Sequence, residues 1–259
     1  MSSFSILQRG DKLPTAAVLQ KLLNRAGAVL NVDGDFGSKT EKALREFQQS
    51  RNIAVDGKTG NDTWTRLMHL DVLPVVDCID VFDEKIYRGQ AQVVIDSGGA
   101  PIMMGGMSNG LEQAALELRD ARSIFLLRFI GHGCPGVQGV TIGRGGWYEN
   151  VGGERKADRK VYDHSSIFFL NAPNAGSFGI KQIFGPYSSV ELHGCHVASG
   201  PVGHKFIRDL ATALQVPVTA GINSQRAALR FDGPTFTAYP HGLQSWCASL
   251  PDFVGVSVP

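Results

Sequence analysis

Cysteine is scarce in this sequence, with four residues among 259. Cys78, Cys134, Cys195 and Cys247 are too few and too far apart to form the disulfide framework of a small secreted domain. The fold must therefore depend on an ordinary hydrophobic core, to which 43% of the residues can contribute. We expect Cys78 and Cys247 to be buried or incidental, because free cysteine packs like a small apolar residue.

Long apolar runs and an excess of one charge sign are also missing. No run approaches the ~18 residues of a membrane helix, so we expect no membrane insertion. The 25 Lys and Arg residues nearly balance 24 Asp and Glu residues, for a net charge of +1. This balance predicts neither a nucleic acid nor an anionic membrane as a partner. The first residues lack the basic and apolar regions of a secretory signal, so classical export is not expected.

The first 70 residues carry helical spacing interrupted by two similar turns. Apolar residues recur at helical intervals between residues 16 and 23 and between residues 43 and 47. Each helix is followed by an Asp-Gly turn, at Val32–Gly37 and at Val55–Gly60. A third short helix should then include Trp64. The pattern predicts a small three-helix domain over residues 1–70.

This segment resembles the three-helix peptidoglycan-binding domain found beside many cell-wall enzymes. The matching stretches are Leu7–Asp11, Leu19–Leu23, Val32–Gly37, Phe47-Gln48 and Val55–Gly60 with Thr63-Trp64. The resemblance implies that peptidoglycan is a partner, held in a shallow groove near the Asp-Gly turns. Asp33, Asp35, Phe36 and Thr40 are the expected contributors, although Phe36 and Trp64 fit a core position better.

Beyond residue 70, strands and helices alternate. Residues 71–90 are expected to be a linker and an entering strand, and Pro74 argues against a central position for that strand. A second strand is expected over 92–96, followed by a glycine turn. The alternation predicts an α/β domain over 91–259, with a mostly parallel sheet flanked by helices.

Other parts of this second domain give less regular patterns. A helix is expected from Asn109, and residues 134–188 read as an irregular insert with a short strand at 167–170. The charged run 154–160 fits a solvated loop. A helix over 203–214 and a strand over 216–220 should follow.

Two strand-like segments end on residues that can do chemistry. Ile124–Ile130 leads into Gly131-His132-Gly133, and Ser189–His193 leads into Gly194-Cys195. Functional residues of an α/β sheet commonly lie at the carboxyl ends of its strands. If the two strands are neighbours, His132 and Cys195 form a dyad in which the thiolate attacks and the imidazole accepts its proton. His193 and His196 are auxiliary candidates, and the alternative for Cys195 is a small buried residue.

These motifs resemble a bacterial cysteine peptidase-like family with a caspase-like (clan CD type) fold. The matching stretches are Phe129–Gly136 with Val140–Gly143, Leu192–Gly200, and Val94–Ser97 as an opening strand. The resemblance implies an oxyanion hole formed by the backbone N–H groups of Gly133 and Cys195. By position alone, Asp96, Ser97, Asn223 and Ser224 are candidates for the substrate pocket.

Three alternatives remain at this stage. Ala172–Ile180 and His193-Gly194-Cys195 echo an L,D-transpeptidase, but the expected upstream His and following Arg are missing, and a parallel sheet would exclude that family. The pairs His132-x-Cys134 and His193-x-Cys195 carry zinc-type ligands without the usual Cys-x-x-Cys spacing, so we expect no metal and no cofactor. The third alternative is a wall-binding scaffold without activity.

The residues and resemblances together predict a cell-wall-targeted cysteine peptidase or amidase. Its substrate would be a peptide bond in a wall-associated protein or in peptidoglycan. It would act at the bacterial wall or in the periplasm, and with no classical signal it would reach that place by non-classical secretion or stay in the cytoplasm before export. A secreted antibacterial effector of this kind would have a secretion machine or an immunity protein as a further partner.

Overall fold

The computed structural model comprises a helical N-terminal unit and a sheet-containing C-terminal unit. It describes residues 4–68, 75–80, 84–96, 100–104, 118, 124–141, 148–151, 154–157, 159–162, 180–226 and 229–250. The expected helix from Asn109, apart from Leu118, and the expected strand at 167–170 lie outside these residues.

Three helices form the N-terminal unit, as the spacing of its apolar residues predicts. They are α1 (Pro14–Arg25), α2 (Ser38–Ser50) and α3 (Asn61–Met68). Pro14 suits the first turn of α1, where its missing N–H has no helical partner to lose. Leu19, Leu44 and Trp64 are fully buried between the helices. The expected helical domain is confirmed.

The described residues of the C-terminal unit include six strands of a main sheet and three helices. In chain order they are β1 (Val75–Asp80), α4 (Glu84–Asp96), β2 (Ile102–Met104), β3 (Ile124–Ile130), β9 (Phe184–Leu192), α5 (Gly200–Leu214), β10 (Val218–Gly221), β11 (Thr235–Ala238) and α6 (Leu243–Ser249). The strands lie in the order β11-β10-β9-β3-β1-β2, and every neighbouring pair is parallel except β10 and β11. The expected mostly parallel sheet with helices is therefore confirmed.

Two expectations near the start of this unit are wrong. The strand β1 lies between β3 and β2, so the residues after Pro74 do enter an interior position. The segment expected to be a strand over 92–96 is the last part of helix α4. Ala91 and Val94 are buried, whereas Val93 and Ile95 are 48% and 45% exposed, which is a helical rather than an alternating pattern. Strand β1 itself lies within the expected linker and entering strand of residues 71–90.

The insert is more regular than its composition predicts. β4 (Gly133–Cys134), β5 (Val137–Thr141) and β8 (Arg159–Tyr162) form an antiparallel sheet. β6 (Tyr148–Val151) pairs with β7 (Glu154–Ala157). The charged run 154–160 therefore contributes to two strands and is not a loop, because backbone pairing between strands does not require apolar side chains.

The two faces of the main sheet differ in chemistry. Val190, Leu192 and Val218 point to an apolar face, which α5 covers with Phe206 and Leu210. The strand registers place polar residues side by side on the opposite face, in a row across five strands. This row consists of Asp77, Arg128, Glu191, Thr219 and Thr237. The first four are buried, and Arg128 donates hydrogen bonds to both carboxylate oxygens of Asp77.

The N-terminal unit packs directly against the C-terminal unit. Trp64 of α3 meets Phe125 of β3 edge-on, with 5.7 Å between ring centroids. Leu126 and Trp246 belong to the same hydrophobic cluster as the core of the helical unit. Because burial of apolar area is the main favourable term in association, this shared core joins the two units into one packed body.

Candidate functional site

His132 and Cys195 follow two adjacent parallel strands, β3 and β9. The Phe129–Leu192 register continues through a hydrogen bond from the His193 N–H to the Phe129 carbonyl at 2.8 Å. The two strands therefore deliver the following loops to the same edge of the sheet. His132 and Cys195 are both partly exposed there.

The loops that follow β3 and β9 touch through their glycines. A Cβ atom added to Gly133 would lie 2.8 Å from the Cys195 carbonyl oxygen and 2.6 Å from Val197 Cγ2. A Cβ atom added to Gly194 would lie 3.0 Å from Gly133 Cα. Only glycine permits this approach of two backbones, so the glycines that flank His132 and Cys195 bring the two loops into contact.

The Cys195 sulfur is held by the backbone of Gln225. The Gln225 N–H donates to Sγ at 3.3 Å, and Sγ lies 3.7 Å from the Gln225 carbonyl oxygen. Both polar groups of one residue's backbone therefore contact the sulfur, which fixes its position beside the Gln225 segment. Sequence reasoning missed Gln225, because only the pairing of β9 with β10 brings the segment after β10 to Cys195.

Gln225 also links two parts of its own segment through side-chain hydrogen bonds. Its side-chain amide donates to the carbonyl oxygens of Asn223 and Asp232 at 2.9 and 3.1 Å. Its side-chain oxygen accepts the Asp232 N–H at 2.8 Å. The Arg226 N–H donates to Asp232 Oδ2 at 2.6 Å. These bonds tie residues 223–226 to Asp232, so the position of Asp232 affects the position of Gln225.

The predicted pocket residues Asn223 and Ser224 lie on the rim beside Cys195. The His196 N–H donates to the Asn223 carbonyl at 3.0 Å. The His196 ring engages the Ile222 carbonyl through Nδ1 at 3.0 Å and Ser224 Oγ through Nε2 at 3.1 Å. His196 adopts φ +58°, which turns the chain sharply after Cys195. Both ring nitrogens are engaged by the rim, so His196 organises the rim.

Two other predicted site residues, His193 and Asp96, lie elsewhere. His193 is buried on the polar face, with Nε2 3.0 Å from Glu191 Oε2 and its ring stacked 4.2 Å from Phe231. It packs under Phe231 and is not an accessible auxiliary base. Asp96 ends α4, which returns the chain from the carboxyl end of β1 toward the amino end of β2, so Asp96 lies at the edge of the sheet opposite Cys195. Ser97 lies outside the described residues.

A second glutamine orders the turn before Cys195. Gln138, on β5, is buried, and its side-chain oxygen accepts the Gly194 N–H at 2.9 Å. The Gly194 amide is thus occupied within the protein. The N–H groups of Gly133 and Cys195 remain the predicted oxyanion donors. Sequence reasoning missed Gln138 because it lies 56 residues before its partner.

The helical unit contains two equivalent glutamine-centred turns. The Gln20 amide donates to Asp33 Oδ1 at 2.7 Å and the Asp35 carbonyl at 2.9 Å. The Gln48 amide makes the same bonds to Asp56 Oδ1 at 2.9 Å and the Lys58 carbonyl at 2.8 Å. Both turns contain a glycine at positive φ, Gly34 at +74° and Gly57 at +70°. The repeated Asp-Gly chemistry of the sequence therefore builds the same local structure twice.

The four predicted wall-binding residues differ in how far their side chains are exposed. Asp33 and Asp35 line a groove of about 320 Å³, and Asp35 pairs with Lys12 at 2.8 Å. That hydrogen bond raises the pKa of Lys12. Phe36 is fully buried, and Thr40 is buried with its hydroxyl near the Gln20 amide. Phe36 therefore packs inside the turn that presents the two carboxylates, where a ligand cannot reach it. Thr40 lines the same groove as Asp33 and Asp35, so it stays a predicted ligand contact.

Asp56 provides a pH-dependent contribution to the second turn. Burial raises the pKa of its carboxyl, but hydrogen bonds from the Lys58 N–H and the Gln48 amide outweigh burial, and the pKa falls below its ordinary 3.8. The contribution is therefore complete above pH 4 and is lost as the pH falls through the lower folded-state value. We expect Asp56→Asn to lower stability by about 1 kcal/mol at pH 7 and by much less at pH 2. Thermal melts at both pH values test this expectation, and an equal loss at pH 2 would contradict it.

Comparison with known proteins identifies the helical unit. Residues 14–67 match the family described as peptidoglycan binding domain. This unit is a peptidoglycan-binding domain. The match covers α1, α2 and almost all of α3, and it supports the expectation that peptidoglycan is a partner.

Solved structures similar to this chain match it over a limited part. They include a peptidoglycan-binding protein from Clostridioides difficile in complex with glutamine hydroxamate, with 31% identity, 24% of this chain covered and TM-score 0.24. The Burkholderia AP3 phage endolysin has 37% identity, 24% coverage and TM-score 0.24. The SleB N-terminal domain has 36% identity, 27% coverage and TM-score 0.25. This chain spans 39%, 24% and 96% of those chains, respectively. No curated protein matches the sequence.

None of the helices among the described residues has the length and apolarity required to cross a membrane. Within the same residues, no three His, Cys, Asp or Glu side chains cluster in a way that could hold a metal ion.

Proposed function

We propose that the C-terminal unit is a caspase-like cysteine peptidase or amidase, which the peptidoglycan-binding domain brings to the bacterial wall. Its substrate is a peptide bond in a wall-associated protein or in a peptidoglycan peptide. The observation that carries this proposal is the parallel pairing of β3 with β9, which brings the loops of His132 and Cys195 into backbone contact. The Gln225 N–H on the Cys195 sulfur adds to it.

In the proposed mechanism, Cys195 Sγ attacks the carbonyl carbon of the scissile bond as its proton passes to His132. The N–H groups of Gly133 and Cys195 stabilise the developing oxyanion. His132 then protonates the leaving amine, and the C–N bond breaks to leave a thioester on Cys195. Water, deprotonated by His132, hydrolyses this thioester and restores the thiol. The rim formed by Asn223 and Ser224 receives the substrate beside the sulfur.

The sheet topology bears on the alternatives. The four parallel pairs agree with the caspase-like resemblance, in which His and Cys follow neighbouring strands. They argue against the L,D-transpeptidase resemblance, which implies a largely antiparallel sheet.

The proposal extends to delivery of the protein, as a secreted effector, to the wall of a competing bacterium. Finding the protein only in the cytosol of the producing cell would contradict that extension.

The test is mass spectrometry of purified peptidoglycan and of a peptide library after incubation with the full chain. We expect cleavage products with the native protein and a loss of at least about 10³-fold with Cys195→Ala, because the nucleophile is removed. Cys247→Ala, which removes a thiol on α6, serves as the matched control and should retain cleavage. New cross-links in place of cuts would favour a transpeptidase. Wall binding with no change in either pool would favour a scaffold without activity.

A further inference from the structure

Arg230 joins the segment beside Cys195 to the peptidoglycan-binding domain. Its guanidinium donates to both carboxylate oxygens of Asp11, at 2.7 and 3.1 Å. It also donates to the Ile6 carbonyl at 3.1 Å. The two charged side chains are 30% and 16% exposed, so the contact is largely shielded from water. A two-pronged Arg–carboxylate pair fixes direction as well as distance, which a single surface ion pair does not.

The same segment holds the candidate nucleophile. Two residues after Arg230, Asp232 hydrogen-bonds to Gln225 through its N–H and carbonyl groups. Gln225 in turn donates its backbone N–H to Cys195 Sγ. Between Arg230 and Asp232, Phe231 stacks on the buried His193 ring beneath the strand that leads to Cys195. A short series of direct contacts therefore runs from Asp11 in one unit to the sulfur in the other.

The surroundings leave this segment room to shift. A cavity of about 270 Å³ lies between the units and is lined by Asp11, Lys12, Glu191, Arg230 and Phe231. A close-packed interior would hold the segment in place by packing alone. Beside a cavity, packing fixes the segment less, so its position depends more on the hydrogen bonds of Arg230. Without these bonds, the segment would regain conformational freedom.

We propose that Arg230 is a positioning residue, through which the peptidoglycan-binding domain holds residues 222–226 and 229–232 so that the Gln225 amide stays on Cys195. The domain is then part of the scaffold of the site as well as a wall anchor. This inference rests on the proposed function for its kinetic readout only, since the placement of Gln225 can be measured without a substrate.

The experiment compares hydrogen–deuterium exchange of the native full chain with that of Arg230→Gln, Asp11→Asn and Arg230→Lys. Both neutral variants should exchange about tenfold faster in the peptide spanning 222–232, the factor for loss of about 1.4 kcal/mol of hydrogen bonding, with α5 unchanged. The exchange rate of this peptide in Arg230→Lys should lie between those of the native chain and the neutral variants. The lysine ammonium keeps the positive charge but cannot donate two parallel hydrogen bonds to the Asp11 carboxylate. Lys205→Gln, which removes the exposed Lys205–Asp209 pair on α5, is the matched control and should leave the peptide unchanged.

Kinetics on the same variants supply the second readout. With a cleaved substrate, we expect kcat/KM to fall by at least about tenfold in both neutral variants, because the loosened segment holds both the Cys195 sulfur and the substrate rim of Asn223 and Ser224. Unchanged exchange at 222–232 in both variants overturns the inference, and so does an equal acceleration over both units, which would make Arg230 a residue of general stability. If exchange responds but the native chain shows no Cys195-dependent cleavage, the positioning role stands and the proposed hydrolase activity fails.

Discussion

Replacing Gly133 with alanine is expected to lower Cys195-dependent turnover by at least about 10²-fold, the loss typical of a displacement of about 1 Å at a catalytic centre. The added Cβ would lie 2.6 Å from Val197 Cγ2 and 2.8 Å from the Cys195 carbonyl oxygen. One of these neighbours is backbone, so the clash cannot be relieved by rotating a side chain. The His132 loop must therefore move away from the Cys195 loop.

A second glycine provides a control for the general effect of replacing glycine with alanine on stability and turnover. Gly89, inside α4, has no atom within 4 Å of an added Cβ. Gly89→Ala should therefore keep full turnover and gain up to about 1 kcal/mol of stability from the higher helix propensity of alanine. Turnover of the two variants, measured beside their melting curves, checks the expectation. A folded Gly133→Ala protein with native turnover would contradict the contact between the two loops as the basis of the site.

Replacing Arg128 with methionine is expected to destabilise the protein by about 3–5 kcal/mol, because it leaves the Asp77 carboxylate buried without its partner. Arg128 is fully buried, and its pair with Asp77 crosses from β3 to β1. At about 2–4 °C per kcal/mol for a chain of this size, the midpoint of thermal unfolding should fall by roughly 10 °C. Calorimetry or circular dichroism measures this shift directly.

The double variant Asp77→Leu with Arg128→Met provides the control. Removing both charges leaves no uncompensated carboxylate, and replacing a buried pair by apolar residues is often neutral or stabilising. We therefore expect the double variant to melt close to the native protein. If the double variant lost as much stability as Arg128→Met alone, the pair would matter for its volume or for the neighbouring Glu191, and not for its charge balance.

The peptidoglycan-binding domain has a structural role that its sequence does not indicate. A mostly parallel sheet needs cover on both faces. Here α5 covers the apolar face, while Trp64 and its neighbours share a core with Phe125 and Leu126 on the other side of β3. The same domain thus also shields part of a sheet face that carries a row of buried polar groups.

Local patterns were sufficient to predict the helical unit and its turns. Apolar residues at helical spacing and the two Asp-Gly pairs predict α1, α2, α3 and the loops between them, because each of these features depends on near neighbours in the chain. The strands before His132 and Cys195 were predictable for the same reason, and so was the parallel sheet. The same approach failed for Val93–Ile95, where three adjacent apolar residues fit a strand or a helix until burial shows which of them face inward.

Patterns in the sequence were enough to predict a peptidoglycan-binding domain, a mostly parallel sheet, and a His and a Cys at the ends of two strands. The folded structure was needed to show that those strands are neighbours, that Gln225 and Gln138 hold the site, and that Arg230 reaches Asp11 across 219 residues of chain. It also shows that Phe36 is interior and that Asp96 lies at the opposite end of the strands from Cys195. These features depend on contacts between distant segments, and such contacts form only when whole elements bury their apolar surfaces together.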